Sequence, residues 1–280
     1  MSYRERIEKH IKSFDVMPPL CRNLLAYLDD PDVDFKTIRE TLQYDPGLTA
    51  NVLKLANSVY FGAAREVNSL QAALVRLGTQ RIFELVLSLG VSPKLITELP
   101  GYGLQGSELL RHSIWTAVAA QELAGLLEIK DMDTVFTVGL LHDLGLLLLD
   151  PFIERHHEHF ADVMKNERIP FDKAERQILG MDHAEAGARV LAGWQLGPEI
   201  TDSVMWHHDP DRAEKNRSLV YLIHLADMLS LSEGIGTGIY GLHFSVSAEP
   251  VRALGLKKNH LEYTASKTLD RMRELENILT

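Results

Sequence analysis

The chain has 280 residues, of which 45% are hydrophobic, and it carries a formal net charge of −10. A chain of this length can bury a large core, and its negative charge argues against nucleic acid as the main partner, because phosphate binding depends on clustered Lys and Arg. The charged N-terminal residues argue against a signal peptide, the apolar runs are shorter than the roughly 18 residues of a membrane span, and Cys21 is the only cysteine. We therefore expect a soluble protein of the reducing cytoplasm, without membrane contact.

Helical periodicity runs through the first part of the chain. Apolar residues recur at helical spacing in the segments 34–44 and 46–60, which predicts two short amphipathic helices, the second with a proline at its first helical position. A third helix, capped by Ser69, is expected to end at Gly78. The pattern predicts a fourth helix over 79–90, with a glycine at its end.

The third and fourth helices follow each other as in a helix-turn-helix motif. The fourth offers only Gln80 and Arg81 beside a mostly apolar surface, so we interpret the pair as packing helices and not as a DNA reader. The segment 98–108 contains three glycines and a proline and is the best internal boundary. Helical patterns resume beyond it. The expected fold is all-α, with an N-terminal helical subdomain at 1–105 packed on a second helical subdomain at 106–280 that includes the C-terminal helix.

His142 and Asp143 lie side by side in the nearly unbroken apolar run VGLLHDLGLLLLD. The predicted helix ends at Gly145, so Asp143 is in the last turn, where the negative end of the helix dipole disfavours a carboxylate. Burial in an apolar stretch disfavours the charge again, and a bound cation is the most effective compensation. A His–Asp pair buried in the core without a metal remains open as the alternative.

Polar residues also occupy the inward faces of other predicted helices. His207 and His208 continue the apolar stripe of Ile200 and Val204, where the pattern calls for hydrophobic residues. Taken singly, such residues are more often hydrogen-bonded core residues than ligands, but the same feature on five separate helices indicates a metal site. Its imidazoles and carboxylates suit Fe, Mn, Ni or Zn. The candidate ligands are His112, His142, Asp143, His183, His207, His208 and Asp227.

Three further histidines are interpreted differently. His156, His157 and His159 lie in ERHHEHFADVMKNE, where the charged neighbours and the spacing predict a solvated helix face. They are not included in the candidate site.

The order of these polar residues resembles that of a known superfamily. His, then His-Asp, then His, then His-His, then Asp on successive helices is similar to the HD phosphohydrolases in their extended, two-metal version. The stretches DVMPPLCRNLL, DPGLTANVLKLANSVYFG, VNSLQAALVRLG and GLLHDLG resemble HDOD proteins, the HD-related output domains of bacterial signalling systems. The resemblance runs from about residue 14 to about residue 229.

The resemblance implies a site for one or two divalent transition-metal ions. It places one metal among His112, His142, Asp143 and Asp227, and it extends the site to a second metal through His183, His207 and His208. Many HDOD members have lost several of these positions, so their retention in this chain favours a metal-bound state.

The chain departs from the catalytic HD-GYP phosphodiesterases at two points. Their motif continues as His-Asp-x-Gly-Lys, whereas this chain has Leu146 at the fifth position, and the Gly-Tyr-Pro stretch expected after the His-His pair has no match. The missing lysine removes a cation suited to holding a phosphate oxygen, so we do not expect cleavage of cyclic-di-GMP.

The resemblance implies a signalling output module with little or no catalytic activity. Its conformation would be coupled to a metal or to a small phosphate or nucleotide ligand, and a partner protein would read it and supply its input. The alternative is a metal-dependent phosphohydrolase acting on a phosphate ester or nucleotide, in which Asp143 would act with a metal-bound water.

Overall fold

The computed structural model describes residues 1–14, 46–57, 67–236, 238 and 247–279. Within these ranges the chain is helical and forms no strand; Leu99 and Leu104 make an isolated antiparallel bridge. The all-α fold is as predicted. Three features of the sequence lie outside the described residues: Cys21, the predicted helix at 34–44 and the last residues of the helix predicted at 46–60. The helices are α1 (Tyr3–Ser13), α2 (Pro46–Ala56), α3 (Leu70–Leu95), α4 (Glu108–Leu126), α5 (Met132–Leu141), α6 (Leu146–Glu154), α7 (His157–Glu167), α8 (Phe171–Leu179), α9 (His183–Gly193), α10 (Pro198–Trp206), α11 (Arg217–Ser232), α12 (Glu249–Ala253) and α13 (Lys258–Leu279).

The N-terminal helices follow the predicted start signals, but one predicted end is wrong. Ser69 caps α3 by accepting a hydrogen bond from the backbone N–H of Ala72 at 3.2 Å. Gly78 interrupts the helix as predicted, with φ 78° and ψ 163°, and the axis kinks there. Beyond the kink α3 continues through Gly90 to Leu95. A helical glycine costs only about 1 kcal/mol relative to alanine, less than the burial of one large side chain of this helix returns.

The centre of the molecule is α4, which is buried on nearly all sides. It packs against α5, α11 and α13. The close crossing with α5 depends on small residues, because a Cβ added at Gly139 would come within 2.5 Å of the Cα of Ala117. Trp115, on the same helix, is fully buried. The inward residues of α4 therefore lie in the middle of the core.

One apolar stretch, Met132–Glu154, has the length and composition of a membrane span. An 18-residue window of this 23-residue stretch has a mean hydropathy of 1.5, and 89% of that window is buried inside the protein. The stretch comprises α5, α6 and the turn between them, which is typical of core helices.

The N-terminal helix α1 docks on the side of the core formed by α6, α8 and α9. Its capping box joins Ser2 and Glu5. Ile7 is fully buried, and Arg4 pairs with Glu185 at 2.5 Å. Burial of one isoleucine and an ion pair at the edge hold this helix against the start of α9.

A tight connector, residues 96–107, joins α3 to α4. The backbone N–H of Gly101 donates to the carboxylate of Asp150 at 2.9 Å, and a Cβ at position 101 would lie 2.7 Å from the carbonyl oxygen of Asp150. The connector is therefore in close contact with α6. The division into subdomains at about residue 105 stays a prediction, since α3 also packs on α4 and α5.

Candidate metal centre

In two of the helices that reach the centre, the residue that caps the C-terminal end is a histidine. α5 ends at Leu141, with His142 as its C-cap, so His142 and Asp143 lie in the turn to α6. The helix therefore ends before the predicted Gly145, because residues 142–145 form successive turns. α10 also ends with its histidine, His207, as the C-cap. Helix C-termini carry partial negative charge, which favours a cation beside them.

The other helices supply side chains from their start or interior. His183 is the first residue of α9, directly after the N-cap Asp182. His112 lies in α4 and Asp227 in α11. His112 is 3% exposed, His183 is 5% exposed and Asp227 is 1% exposed. These ionisable groups therefore lie in the core.

One group of possible ligands comprises His112, His142 and Asp227. Their ligand atoms all lie within 4.8 Å of one another. The Nε2 atoms of the two histidines are 3.2 Å apart, and Nε2 of His112 is 3.3 Å from Oδ1 of Asp227. These three ligand atoms, from α4, from α11 and from the turn after α5, thus lie close together.

A second group comprises Asp143, His183, His207 and His208, again with ligand atoms within 4.8 Å. Oδ1 of Asp143 lies 3.5 Å from Nε2 of both His183 and His207. The other carboxylate oxygen, Oδ2, lies 3.2 Å from Nε2 of His112, in the first group. Asp143 therefore stands between the two groups and faces each with one oxygen.

The outer nitrogens of the rings are occupied by the surrounding protein. Nδ1 of His142 lies 2.7 Å from the carbonyl oxygen of Gly139, and Nδ1 of His207 lies 2.7 Å from that of Val204. A carbonyl accepts only from a protonated Nδ1, so in the neutral ring Nε2 keeps its lone pair and points inward. Nδ1 of His112 has Ser230 Oγ as its corresponding partner, at 2.9 Å.

Buried carboxylates have a strong effect on the pKa values of the histidines in the centre. Burial opposes the charged form of His112, but hydrogen bonds and charge from Asp143 and Asp227 raise its pKa to about 10. Burial likewise opposes protonation of His183, whose pKa Glu175 and Asp143 raise to about 10. Burial lowers the pKa of His142 to about 4. The buried carboxylates therefore favour positive charge beside them, and the protonated rings of His112 and His183 provide it.

The donor set fits a transition-metal ion. Among the seven candidate ligands, three buried side-chain atoms have no hydrogen-bond partner: Oδ1 of Asp143, Nε2 of His207 and Oδ2 of Asp227. A buried polar atom without a partner costs about 1–3 kcal/mol, and a metal bond removes that cost. Imidazole nitrogens and carboxylate oxygens suit Fe, Mn, Ni or Zn.

The structure brings together all seven residues singled out in the sequence, in the two groups described above. Their role as metal ligands stays a prediction. The three histidines set aside are in neither group: His159 is exposed, while His156 and His157 are half-buried. His156 bonds instead to the hydroxyl of Tyr3 at 2.8 Å, so it is less solvated than expected.

Two supporting residues were missed in the sequence. Glu175 is fully buried and accepts hydrogen bonds from both the backbone N–H and Nδ1 of His183, at 2.9 and 2.7 Å. A signal was present, because Glu175 lies four residues from both Phe171 and Leu179 on the inward face of α8. Tyr102, which contacts Glu175, lies in the connector and gave no such signal.

The chain matches one protein family over most of its length. The sequence model of the HDOD domain family matches residues 15–210. Among curated proteins, an uncharacterised protein of Treponema pallidum is 24% identical over 224 residues, which is 76% of this chain. The match spans 42% of that relative's length.

Several solved structures share the fold. An HDOD domain protein of unknown function from Geobacter sulfurreducens has a TM-score of 0.75 at 24% identity, covering 98% of this chain and 97% of its own. A candidate signal transduction protein from Marinobacter aquaeolei has a TM-score of 0.75 at 20% identity, covering 99% of this chain and 65% of its own. A candidate phosphohydrolase from Shewanella amazonensis has a TM-score of 0.70 at 24% identity, covering 98% of each chain. At these identities the likeness concerns the fold.

Proposed function

Because this chain belongs to the HDOD family, we propose that it is a signal-transduction module that binds one or two transition-metal ions and has little or no hydrolase activity. The observation that carries the proposal is the pair of adjacent ligand groups between which Asp143 stands. Two buried carboxylates, Asp143 and Asp227, need positive charge, and the imidazoles beside them are the usual companions of carboxylate in transition-metal sites.

The chain's own residues are arranged to hold such ions. His142 and His207 present Nε2 inward because their Nδ1 atoms face main-chain carbonyls. Asp143 and Asp227 supply the negative charge, and Asp143 reaches both groups. When bound, a divalent ion would supply positive charge and Lewis acidity at this point.

A metal-dependent signalling state follows from where the ligands originate. They come from α4, α9 and α11 and from the ends of α5 and α10, so one or two ions would cross-link helices throughout the core. A ligand that binds only the folded arrangement stabilises it by mass action, about 2.7 kcal/mol at a hundredfold excess over Kd. A partner protein would read this state, with a small phosphate or nucleotide as an additional ligand. The name of the Marinobacter structure supports a signalling context.

Weak hydrolysis is proposed because of Leu146 and the burial of the ligands. Leu146 is 6% exposed and cannot donate to a phosphate oxygen, so no cation stands at this position. His208 has the most exposed side chain of the seven candidate ligands, at 19%. Substrate placement and not water activation would then limit the reaction.

A metal-dependent phosphohydrolase is the second candidate. The observation that favours it is Asp143 itself, because a carboxylate between two ligand groups is the arrangement that two-metal hydrolases use to hold ions about 3.5–4 Å apart. The name of the Shewanella structure is in line with this alternative.

Metal content tests the first part of the proposal. Elemental analysis of the purified protein should find Fe, Mn, Ni or Zn, and a chelated sample should take up one or two ions per chain in titration. A protein that is isolated without metal and refuses all four ions in titration contradicts the proposal.

Hydrolysis assays distinguish the two candidates. After reconstitution with Mn or Fe, we expect no meaningful turnover of cyclic-di-GMP and at most slow turnover of generic phosphate esters and nucleotides. Asp143→Ala is the control for contaminating enzymes. Robust turnover that disappears in this variant would replace the signalling module with the phosphohydrolase.

A further inference from the structure

Glu175 has an unusual position for a carboxylate, because it is fully buried and its side-chain hydrogen bonds join the metal centre to the connector. Oε2 accepts two hydrogen bonds from His183, from Nδ1 at 2.7 Å and from the backbone N–H at 2.9 Å. Oε1 accepts one from the hydroxyl of Tyr102 at 2.5 Å. Both oxygens are therefore occupied, and the carboxylate is fixed in one orientation.

Tyr102, whose hydroxyl donates to Oε1 of Glu175, is distant from Glu175 in the sequence. It lies in the connector between α3 and α4, and it is 6% exposed. The connector is held by the bridge between Leu99 and Leu104 and by the hydrogen bond from Gly101 to Asp150. The ring of Tyr102 also packs edge-on against Phe171, at 5.3 Å between centroids. The hydroxyl thus has one well-defined position above Glu175.

We propose that Glu175 and Tyr102 are positioning residues that set the affinity of the ion position formed by Asp143, His183, His207 and His208. The proposal rests on the metal-binding function proposed above and extends it to these two residues. Because Tyr102 belongs to the connector, the occupancy of this ion position depends on how the connector packs against the core.

The physical reason lies in the ring of His183. A carboxylate that accepts from Nδ1 fixes the tautomer and orientation of the ring and makes Nε2 a stronger donor to a metal. Loss of such an outer partner typically weakens metal affinity about 10- to 100-fold. Without the Tyr102 hydroxyl, Glu175 keeps its contacts to His183 but loses the group that fixes its other oxygen. We expect a smaller loss for this change.

The other ion position is supported in a different way. In that position Nδ1 of His142 faces a main-chain carbonyl, and Nδ1 of His112 faces the hydroxyl of Ser230 and the carbonyl oxygen of Ile235. His207, which belongs to the same position as His183, also uses a main-chain carbonyl. In the described part of the chain, the hydrogen-bonded carboxylate partner of Nδ1 is a feature of His183. Changes at Glu175 should therefore act on one position and spare the His112, His142 and Asp227 group.

The test compares Glu175→Gln and Tyr102→Phe with two matched control variants. Glu84→Gln alters another buried, hydrogen-bonded carboxylate, and Tyr221→Phe removes the hydroxyl of another buried tyrosine, 4% exposed; neither is in the ligand groups. Each full-length variant is titrated with Mn²⁺ against a competing chelator. Electron paramagnetic resonance is recorded in parallel, because two Mn²⁺ ions sharing a carboxylate couple magnetically, whereas a single one gives the hyperfine pattern of an isolated ion.

We expect Glu175→Gln to weaken one ion at least 10-fold, Tyr102→Phe to weaken the same ion less, and both to convert the coupled spectrum to that of isolated Mn²⁺. The controls should keep wild-type affinities even where their melting temperatures fall. If bound Mn²⁺ is unaffected by Glu175→Gln, whether the wild type holds one ion or two, the proposal is wrong while the metal site stands. A wild-type protein that takes up no metal overturns the proposed function itself.

Discussion

Among single residues, Asp143 is the most constrained group in the centre. Burial alone would raise the pKa of its carboxyl, but the surrounding imidazoles, with His142 the strongest, hold that pKa well below its usual range. Oδ1 nevertheless has no hydrogen-bond partner. The residue therefore stays charged and incompletely satisfied, which is the condition under which a bound cation contributes most to stability.

Removal of a ligand should lower both metal retention and stability. We expect His142→Ala and Asp143→Ala to lose bound metal on dialysis and to lose most of the thermal stabilisation that added metal gives the wild type, about 2.7 kcal/mol at a hundredfold excess over Kd. His159→Ala, at an exposed position of α7, is the control and should match the wild type. Equal metal content and melting temperature in all three variants would contradict the ligand assignment.

Metal binding should release protons. With pKa values of about 10, His112 and His183 are protonated near neutral pH, and each must lose its proton to bind an ion. The association constant should therefore rise with pH between 6 and 8, by up to about tenfold per unit for each proton displaced. Calorimetry in two buffers of different ionisation enthalpy measures the release. Identical heats in both buffers would show that no proton leaves.

The same two histidines predict the pH dependence of the chelated protein. Their folded pKa values are raised above the unfolded value of about 6.5, so their contribution to stability is full below pH 6.5 and is lost as the pH rises towards 10. The chelated protein should melt at a lower temperature at pH 8.5 than at pH 6.5. A protein saturated with Zn²⁺ should show a smaller decrease, because metal affinity rises over the same range. Parallel decreases with and without metal would contradict this account.

The residues that hold the centre were predictable to different degrees. His207 could be predicted because it occupies an inward position in a helical pattern, where a polar residue is conspicuous. Tyr102 could not, because it reaches the centre from a glycine-rich connector, and only the tertiary fold brings it to Glu175. Periodicity reports which face of a helix is buried, but not which distant loop meets that face.

At the scale of elements, the C-terminal helix α13 is attached to the core through a buried polar cluster. Arg271, 9% exposed, donates to Glu84 of α3 at 3.2 Å and to Gln121 of α4 at 3.0 Å. Gln121 in turn donates to Glu84 at 2.9 Å. Three helices far apart in sequence therefore meet around one buried ion pair.

Breaking this pair should cost more than removing a surface charge. Arg271→Ala leaves Glu84 buried without one of its two cations, and we expect a loss of up to about 3 kcal/mol in the free energy of unfolding. This is below the full cost of a broken buried pair, because Arg81 still contacts Glu84. Arg273→Ala, at an exposed position of the same helix, should stay within about 0.5 kcal/mol. Urea denaturation measures both, and equal midpoints would show that the cluster adds nothing.

The ends of elements were less predictable than their presence. Gly90 was expected to end a helix, but α3 passes through it and buries Leu87, Val91 and Leu95 along one face. Gly145 was expected to end α5, but the chain leaves the helix at Leu141. Glycine only weakens a helix, so tertiary packing decides where the helix ends.

At the scale of the whole molecule, the first and the last described helices pack on the same helical core. α1 lies against α6, α8 and α9, and α13 lies along α4. The helical pattern was sufficient to predict an all-α protein, because amphipathic stripes and cap residues are local signals. Which helices meet is determined by side chains distant in sequence, such as Ile7 and Arg271, and so it could not be predicted from the pattern.

The docking of α1 should be part of the global stability. Ile7 is fully buried between α1 and the core, so Ile7→Ala should lower the free energy of unfolding by about 2–5 kcal/mol. Lys9→Ala, at an exposed position of the same helix, is the matched control. Circular dichroism during urea denaturation would show the difference. An unchanged midpoint for Ile7→Ala would mean that α1 frays independently of the core.

The contact between Gly145 and Gly187 has a consequence for which substitutions this centre tolerates. The backbone N of Gly145 lies 3.1 Å from where a Cβ at Gly187 would be, and a Cβ at Gly145 would overlap the carbonyl of His183. Replacing an imidazole changes what the centre binds and leaves this backbone crossing intact. A single methyl group at 145 would instead push α9 away from the turn that carries His142 and Asp143. The close approach of Asp143 and His183 therefore depends on the absence of a side chain at Gly145 and, less strictly, at Gly187.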